Sequence, residues 1–342
     1  MDVRAPTEFA KGAIAGAVNI PLFSNLERAD IGTIYKHRGR EDAIRQGLAF
    51  IGPRLEAFAE AFAPYRERNL VVYCARGGMR SNAVVTFLGA LGFRVQQLPG
   101  GYKAYRNHLP AALERRVPPR LVVIHGQTGV GKTALLGELP NALDLEGLAR
   151  HRSSLFGGVN LKPRTQQHFE AHLLRALEGL DPARPVWVEG ESRKVGQVVL
   201  PEGLRRAMRD ATCVLVTASV PTRVRRIIAE YGGGRDAATL EQLVAALERL
   251  RGFFGAEETA RLAALVRAGE LAPVVETLLL RYYDPRYRHA MRHYRYALEV
   301  SSEDLPAAAA ELRRFGAQVA AGTAAPPGAG PAGARRRAGA VS

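Results

Sequence analysis

The chain has 342 residues, of which 47% are hydrophobic and two are cysteines, and its formal net charge is +15. This length predicts two domains with substantial cores, and so few cysteines exclude a disulfide framework. No stretch has the pattern of a signal peptide or of an apolar membrane span, so we expect a cytoplasmic protein without membrane contact. The excess of cations favours a polyanionic partner such as nucleic acid, or else reflects an arginine-rich proteome.

The N-terminal part of the sequence alternates between strand and helix patterns. Residues 41–63 have helical spacing with a break near Gly52 and Pro53, and SNAVVTFLGALG is typical of a helix closed by Gly92. NLVVY and FRVQQ are typical of short strands. Such alternation predicts a parallel α/β sheet. We expect residues 1–112 to form this first domain, with a charged, proline-containing linker around residues 110–119.

A second α/β pattern begins with the strand LVVIH and the helix TALLGEL. PVWVEGES and TCVLVTAS are two further apolar strands, and Cys213 in the second of them is expected in the core. Residues 222–315 have mostly helical spacing. We therefore expect a P-loop NTPase-like α/β domain with a helical C-terminal part over residues 113–319. Residues 320–342, rich in Ala, Gly and Pro, cannot bury apolar surface and are predicted to be disordered.

A complete phosphate-binding motif, G-x-x-x-x-G-K-[ST], joins LVVIH to TALLGEL. Its residues are Gly126, Gln127, Thr128, Gly129, Val130, Gly131, Lys132 and Thr133. In such a loop successive N–H groups face an anion, Lys132 reaches the outer phosphates and Thr133 is a candidate ligand for Mg²⁺. ATP, GTP and a non-nucleotide diphosphate all present the same group to it. Glu189 and Glu191, which end a nearby strand, are candidates for a metal or substrate role, unless they are only a helix cap or a surface charge.

The stretch CARGGMR places one cysteine in a glycine-rich loop between a strand and a helix. A helix N-terminus and the cations Arg76 and Arg80 would favour the thiolate of Cys74 and lower its pKa. With Gly77 and Gly78 in the loop, the N–H groups of residues 75–80 can cradle an anion on the sulfur. A buried, inert cysteine would instead have apolar neighbours, so we expect Cys74 to be catalytic.

Several motifs together resemble a known family. DVR at the N-terminus, GAVNIP, CARGGMRS and LPGGYKAYR resemble a rhodanese domain. The fusion of this domain to a P-loop domain, together with DLEGLARHRSSLFGG, QQHFE, VEGESRKVGQVVLP and YYDPRY, is similar to the tRNA 2-selenouridine synthase family. The resemblance extends to about residue 315, and its motifs are specific because they occur together with the fusion.

The sequence also departs from the family pattern. The departures are Ala13, Ala15, Ala75, Ser153 and Gly190, which replace a His, a Pro, a Trp, a Gly and an acidic residue. Measured against that pattern, the sequence begins at the second rhodanese strand. Because Cys74, Arg80 and Lys132 are retained, we expect the departures to affect efficiency more than identity.

The resemblance implies a transferase that replaces sulfur by selenium in the wobble 2-thiouridine of tRNA. Selenophosphate is the implied selenium donor, and S-geranyl-2-thiouridine, made from geranyl diphosphate, is the implied intermediate. The Cys74 loop would serve the selenium step, while the phosphate loop, together with Glu189, Glu191, Ser192 and Arg193, would hold the diphosphate. No tightly bound cofactor is implied, and a selenophosphate synthetase is an implied partner.

A basic and aromatic stretch, RYYDPRYRHAMRHYRY at residues 281–296, is the candidate tRNA-binding surface. On a continuous helix, Arg288, Arg292 and Arg295 share one face, and three tyrosines of the stretch share another. The arginines would contact phosphates and the tyrosines would hold a splayed base. The alternative is an amphipathic helix with its tyrosines in the core and its arginines solvated.

Two other function classes fit parts of the sequence. CARGGMR is C-x5-R, one residue longer than the usual sulfurtransferase loop, and such a length is used by rhodanese-fold phosphatases. Tyr73 stands where those phosphatases have His, and the P-loop fusion is unexplained in that class. The second alternative is a non-catalytic P-loop RNA-binding adaptor with a degenerate rhodanese domain, against which the intact Cys74, Arg80 and Lys132 argue.

Overall fold

The computed structural model describes residues 1–151, 162–190, 193–231 and 237–324. They form two compact units, each with its own hydrophobic core. The first unit contains Met1–Arg116 and Arg164–Glu178, and the second contains the other described residues. Both units are α/β with parallel sheets, and the second has a helical C-terminal part, which confirms the predicted fold class.

Helices and strands alternate along most of the described chain. The helices are α1 (Pro6–Lys11), α2 (Asn25–His37), α3 (Arg40–Ile51), α4 (Leu55–Glu60), α5 (Met79–Ala90), α6 (Gly101–Arg115), α7 (Lys132–Glu138), α8 (Leu145–Ala149), α9 (Gln166–Glu178), α10 (Glu202–Arg209), α11 (Val220–Tyr231), α12 (Ala237–Glu248), α13 (Arg251–Phe254), α14 (Ala256–Arg267), α15 (Leu271–Thr277), α16 (Asp284–Met291) and α17 (Leu305–Ala321). The strands are β1 (Leu70–Val72), β2 (Val95–Gln97), β3 (Leu121–His125), β4 (Ala142–Leu143), β5 (Val186–Glu189), β6 (Lys194–Val195), β7 (Val198–Val199), β8 (Thr212–Thr217) and β9 (Tyr296–Ser301). None of the helices in these ranges is long and apolar enough to cross a membrane.

In the first unit, β1 and β2 pair in parallel and the N-terminal residues lie along the other edge of β1. The N–H of Val3 donates to the carbonyl of Tyr73 at 3.0 Å. The helical stretch predicted at 41–63 is confirmed, with its break at a 3-10 turn over Gly52–Arg54. This break follows from Pro53, which has no N–H to donate within a helix.

A buried ion pair holds the N-terminal segment in place. The Arg4 guanidinium donates to both carboxylate oxygens of Asp2, at 2.6 Å for the shortest contact, and to the carbonyl of Gly12. The same guanidinium lies 3.9 Å from the ring centre of Tyr102. Because Asp2 and Arg4 are both buried, each compensates the charge of the other, and removing one partner would leave a buried charge unpaired.

The structure corrects the predicted linker. Helix α6 continues through residues 110–115, because Leu109, Ala112 and Leu113 form an apolar face that is buried against the first unit. The sequence analysis weighted the proline and the charges of this stretch above that spacing. Helix α9, which the sequence analysis assigned to the second domain, belongs to the first unit, where Glu170 accepts from Arg106 at 2.6 Å.

The second unit is built on a five-stranded parallel sheet with the order β4-β5-β3-β8-β9. The chain leaves the central strand β3 towards both sides of the sheet, and ligands bind such sheets at the carboxyl end of this switch point. Strand β9 overturns the prediction of helix throughout residues 222–315: it pairs with β8, with Thr217 opposite Ser301. Cys213 is buried in β8, as predicted.

The helical part of the second unit has its own apolar cluster, formed by residues of α11, α12, α14 and α15. A π-helical turn, Leu278–Tyr283, joins α15 to α16. Helix α17 packs Leu312 and Phe315 into the cluster of the sheet. It extends to Ala321, two residues into the predicted tail, and residues 325–342 lie outside the described chain.

Candidate active site

The loop after β1 is held by the start of α6. The N–H groups of Tyr102 and Lys103 donate to the carbonyls of Cys74 and Ala75, both at 2.9 Å. A Cβ at Gly101 would lie 2.3 Å from the nitrogen of Gly77. The paired glycines of LPGG thus let α6 begin directly against the loop, and the loop turns its carbonyls towards α6 and N–H groups towards the sulfur.

The thiol of Cys74 has a lowered pKa. Burial raises this pKa, but the hydroxyl of Ser81 and the N–H groups of Ser81, Arg76 and Gly78 outweigh burial. The Ser81 hydroxyl donates to the Cys74 sulfur at 3.2 Å and accepts from Gln97 Nε2 at 2.8 Å. Sequence reasoning missed Ser81 and Gln97, because their contacts depend on how β2 and α5 meet.

Arg80 does not face the sulfur as the sequence analysis expected. Its guanidinium donates to both carboxylate oxygens of Glu8, at 2.8 and 3.4 Å. The main groups that lower the pKa of Cys74 are therefore the hydroxyl and the N–H donors, while Arg76 is exposed on the loop. A C-x5-R phosphatase needs its arginine on the phosphate, so the pair between Arg80 and Glu8 argues against that alternative.

The phosphate loop joins the central strand β3 to α7 in the second unit. Gly129 and Gly131 have φ of 82° and 90°, the left-handed region that glycine adopts without strain. The Lys132 ammonium donates to the carbonyl of Gly126 at 3.0 Å, and its nitrogen lies 5.7 Å from the ring centre of Tyr287. Thr133 is exposed at the start of α7.

A buried arginine braces this loop from behind. Arg223 of α11 donates to the carbonyl of Thr128 at 2.8 Å and to the side-chain oxygen of Gln127 at 3.2 Å. Its guanidinium pairs with Asp284 of α16 at 2.6 Å, and the two side chains are 1% and 6% exposed. The YYDPRY motif contains Asp284, but its link to the loop could not be predicted without the fold.

Glu189 is buried as the last residue of β5, which is the neighbour of β3. It thus lies on the strand beside the phosphate loop, at the same sheet edge. Arg193 is exposed beyond it, and Glu191 and Ser192 lie outside the described residues. The sheet places Glu189 where a metal or substrate carboxylate was predicted, and its role stays a prediction.

His125, immediately before the loop, was not singled out in the sequence. Burial, reinforced by the charge of Lys132, lowers its pKa to about 4, so its imidazole is neutral at pH 7. The ring stacks on Tyr294 with 4.1 Å between ring centres. A Cβ at Gly190 would lie 2.6 Å from His125 Nδ1. The departure at Gly190 therefore has a structural reason, because this imidazole occupies the space next to it.

The basic segment, defined as Arg288, Arg292 and Arg295, does not form one helical face. Helix α16 ends at Met291, and the two later arginines lie in the turn before β9. All three side chains are exposed. Among the tyrosines, Tyr283 is buried, whereas Tyr294 is 36% exposed on its stack with the imidazole of β3. The continuous helix was wrong because β8 offers an open edge that takes up the following residues as a strand.

Comparisons with known proteins match both units. A family model described as the tRNA 2-selenouridine synthase AAA domain matches residues 119–313, and one described as a rhodanese-like domain matches residues 1–108. The tRNA 2-selenouridine synthase of Pseudomonas syringae pv. tomato is 36% identical, over 86% of this chain and 88% of that protein. Those of Marinobacter nauticus and Cronobacter sakazakii are 34% and 37% identical, each over 85% of this chain and over 88% and 86% of their own lengths.

Proposed function

The chain belongs to the tRNA 2-selenouridine synthase family, and from this membership we propose that it replaces the sulfur of wobble 2-thiouridine in tRNA with selenium. Selenophosphate supplies the selenium, and S-geranyl-2-thiouridine, formed from geranyl diphosphate, is the intermediate. The observation that carries the proposal is the presence of two different anion-binding loops in one chain. One contains a thiol of lowered pKa and the other is a complete phosphate loop. Two successive transfers with two anionic co-substrates need two such loops.

The first transfer is geranylation at the phosphate loop. The base sulfur attacks C1 of geranyl diphosphate, a C–S bond forms while the C–O bond breaks, and the electron pair leaves with the diphosphate. The N3 proton of the base passes to solvent. Lys132 and the N–H groups of the loop stabilise the charge that develops on the diphosphate. Arg223 holds the loop in this shape through Thr128 and Gln127.

A divalent cation suits this loop. Thr133 has an exposed hydroxyl at the start of α7, and Glu189 ends the neighbouring strand. Mg²⁺ takes one or two such oxygen donors and completes its shell with phosphate oxygens and water. When bound it would supply additional neutralisation of the diphosphate. Thr133 and Glu189 are the residues that would hold it.

The second transfer is selenation at the Cys74 loop. The selenium of selenophosphate attacks C2 of the geranylated base, and the C–S bond to C2 breaks. Geranyl thiolate leaves and takes a proton from solvent, and water then cleaves the P–Se bond to release phosphate. The donors that lower the pKa of Cys74 also favour an anionic selenium species at the loop. Cys74 is the residue that handles selenium in this step.

Exposed cations and an aromatic side chain are proposed to contact the tRNA. The basic segment supplies positive charge for phosphates. Tyr294 presents a partly exposed ring on which an unstacked base can lie.

Nucleoside analysis tests the proposed function. Protein is incubated with tRNA carrying 2-thiouridine, geranyl diphosphate and selenophosphate, and the digested nucleosides are identified by mass. We expect S-geranyl-2-thiouridine without selenophosphate and 2-selenouridine when both co-substrates are present. Unchanged 2-thiouridine under both conditions would contradict the proposal.

A further inference from the structure

An apolar cavity of about 400 Å³ lies within the first unit, between α2, α3 and α5. Its walls include Phe23, Ile31, Ile51, Phe58 and Phe87. No residue of α2 is buried, although this helix forms one wall. The helix thus covers a space that the core of the unit does not fill.

Large apolar side chains around this cavity are exposed to it rather than packed. Leu48 is 64% exposed and Tyr35 is 54% exposed, and Ile44, Leu55 and Met79 are also exposed. All five belong to the lining. A concentration of accessible apolar surface around one concave space marks a ligand site rather than ordinary surface.

The cavity begins where the Cys74 loop ends. Met79 and Arg80, the first residues of α5 after the loop, are part of its wall. Val84 also lines it and packs in the same core cluster as Cys74. An apolar group in the cavity would therefore extend from a reacting atom held at the loop.

We propose that this cavity binds the geranyl chain of S-geranyl-2-thiouridine during selenation. The inference rests on the proposed function and adds a second site for the isoprenoid, on the unit that carries Cys74. It makes the selenation step selective for geranylated tRNA over unmodified 2-thiouridine tRNA. The leaving geranyl thiol departs from the same cavity.

The size and chemistry of the cavity fit a ten-carbon chain. A dry cavity of about 150 Å³ holds the six carbons of benzene, so ten carbons need about 250 Å³ in proportion. Among the described residues, only Tyr35 and Arg80 bring polar groups to the lining. The Arg80 guanidinium is already paired with Glu8. A sugar or a nucleotide would thus find few partners here, whereas each buried methylene strengthens binding by about fourfold.

Filling or charging the cavity tests the inference. Ala83, an exposed residue of the lining on α5, becomes tryptophan in one variant (Ala83→Trp), and Leu48→Glu places a charge in the lining. The matched controls are Asn82→Trp on the same helix and Leu26→Glu on α2, both exposed and outside the lining. Loss of about two buried methylenes predicts that KM for pre-geranylated tRNA rises at least about tenfold in both lining variants. Both controls should keep the wild-type value, and geranylation should be unchanged in all four.

A second readout separates this inference from the proposed function. The nucleoside S-geranyl-2-thiouridine is titrated into the full-length wild-type protein and Ala83→Trp, and methyl NMR signals of Ile31, Ile44 and Leu48 are followed. Shifts in the wild type that are absent from the variant support the cavity site even if no tRNA is modified. Unchanged KM in both lining variants, with wild-type selenation intact, would overturn the cavity and leave the proposed function standing. Self-association abolished by Leu48→Glu, without nucleoside shifts, would identify the surface as an interface between copies and also overturn it.

Discussion

Removing the Ser81 hydroxyl should make the Cys74 thiolate less populated. Ser81 is fully buried and donates to the Cys74 sulfur at 3.2 Å. A hydrogen bond to a charged group contributes about 1.5–3 kcal/mol, and a sulfur acceptor belongs at the lower end of that range. Since about 1.4 kcal/mol is tenfold in an equilibrium, Ser81→Ala should lower the ratio of thiolate to thiol about tenfold at a fixed pH below the pKa.

The assay is the rate of alkylation of Cys74 by iodoacetamide as a function of pH, read peptide by peptide by mass spectrometry. Burial raises the pKa of Cys213 to about 11, so that thiol does not interfere at neutral pH. Thr86→Ala removes an exposed hydroxyl from the same helix and is the matched control. An alkylation profile of Ser81→Ala that coincides with those of the wild type and the control would refute the reasoning.

Three further predictions concern other parts of the molecule. Replacing the basic segment by alanine should lower the salt dependence of tRNA binding, by about 0.7–0.9 in log–log slope for each phosphate that the protein no longer binds, and an unchanged slope would exclude such binding. Asp284→Asn should destabilise the chain by about 3–5 kcal/mol in urea unfolding, because Arg223 keeps a buried, uncompensated charge, whereas Glu241→Gln in an exposed ion pair should cost about 1 kcal/mol or less. The pKa of His125 is about 4 in the folded chain and its ordinary value is 6.5, so only the unfolded chain binds this proton between those values. Stability should therefore fall by up to about 3 kcal/mol from pH 6.5 to pH 4, and His125→Phe should flatten this dependence while the exposed His108→Gln should not.

The sequence predicted the elements that carry strong local signals. The strand LVVIH, its glycine loop and the helix after it are confirmed, because hydrophobic run, motif and helix follow one another without a gap. The buried position of Cys213 is also confirmed. The continuous helix predicted at 281–296 was wrong, since β9 forms only because β8 offers a partner, and that pairing joins residues about eighty positions apart.

The candidate site was predictable in its loops but not in the contacts around them. Cys74 could be singled out from its glycine-rich surroundings. That Ser81 and backbone N–H groups would act on its pKa, while Arg80 would pair with Glu8, depends on tertiary positions. The opening of the first unit into an apolar cavity likewise has no local signal, because its lining side chains come from several helices.

The central claim is that the two loops perform two separate transfers. Cys74→Ser keeps the shape of its loop without the thiolate, and Lys132→Ala removes the charge that meets the leaving diphosphate, which should slow geranylation about a hundredfold or more.

The most direct measurement gives each of these two variants 2-thiouridine tRNA with geranyl diphosphate and, separately, pre-geranylated tRNA with selenophosphate, and identifies the nucleosides by mass. Cys74→Ser should accumulate S-geranyl-2-thiouridine and fail to selenate it, and Lys132→Ala should selenate pre-geranylated tRNA but fail to make it. Wild-type selenation by Cys74→Ser, or wild-type geranylation by Lys132→Ala, would contradict the account.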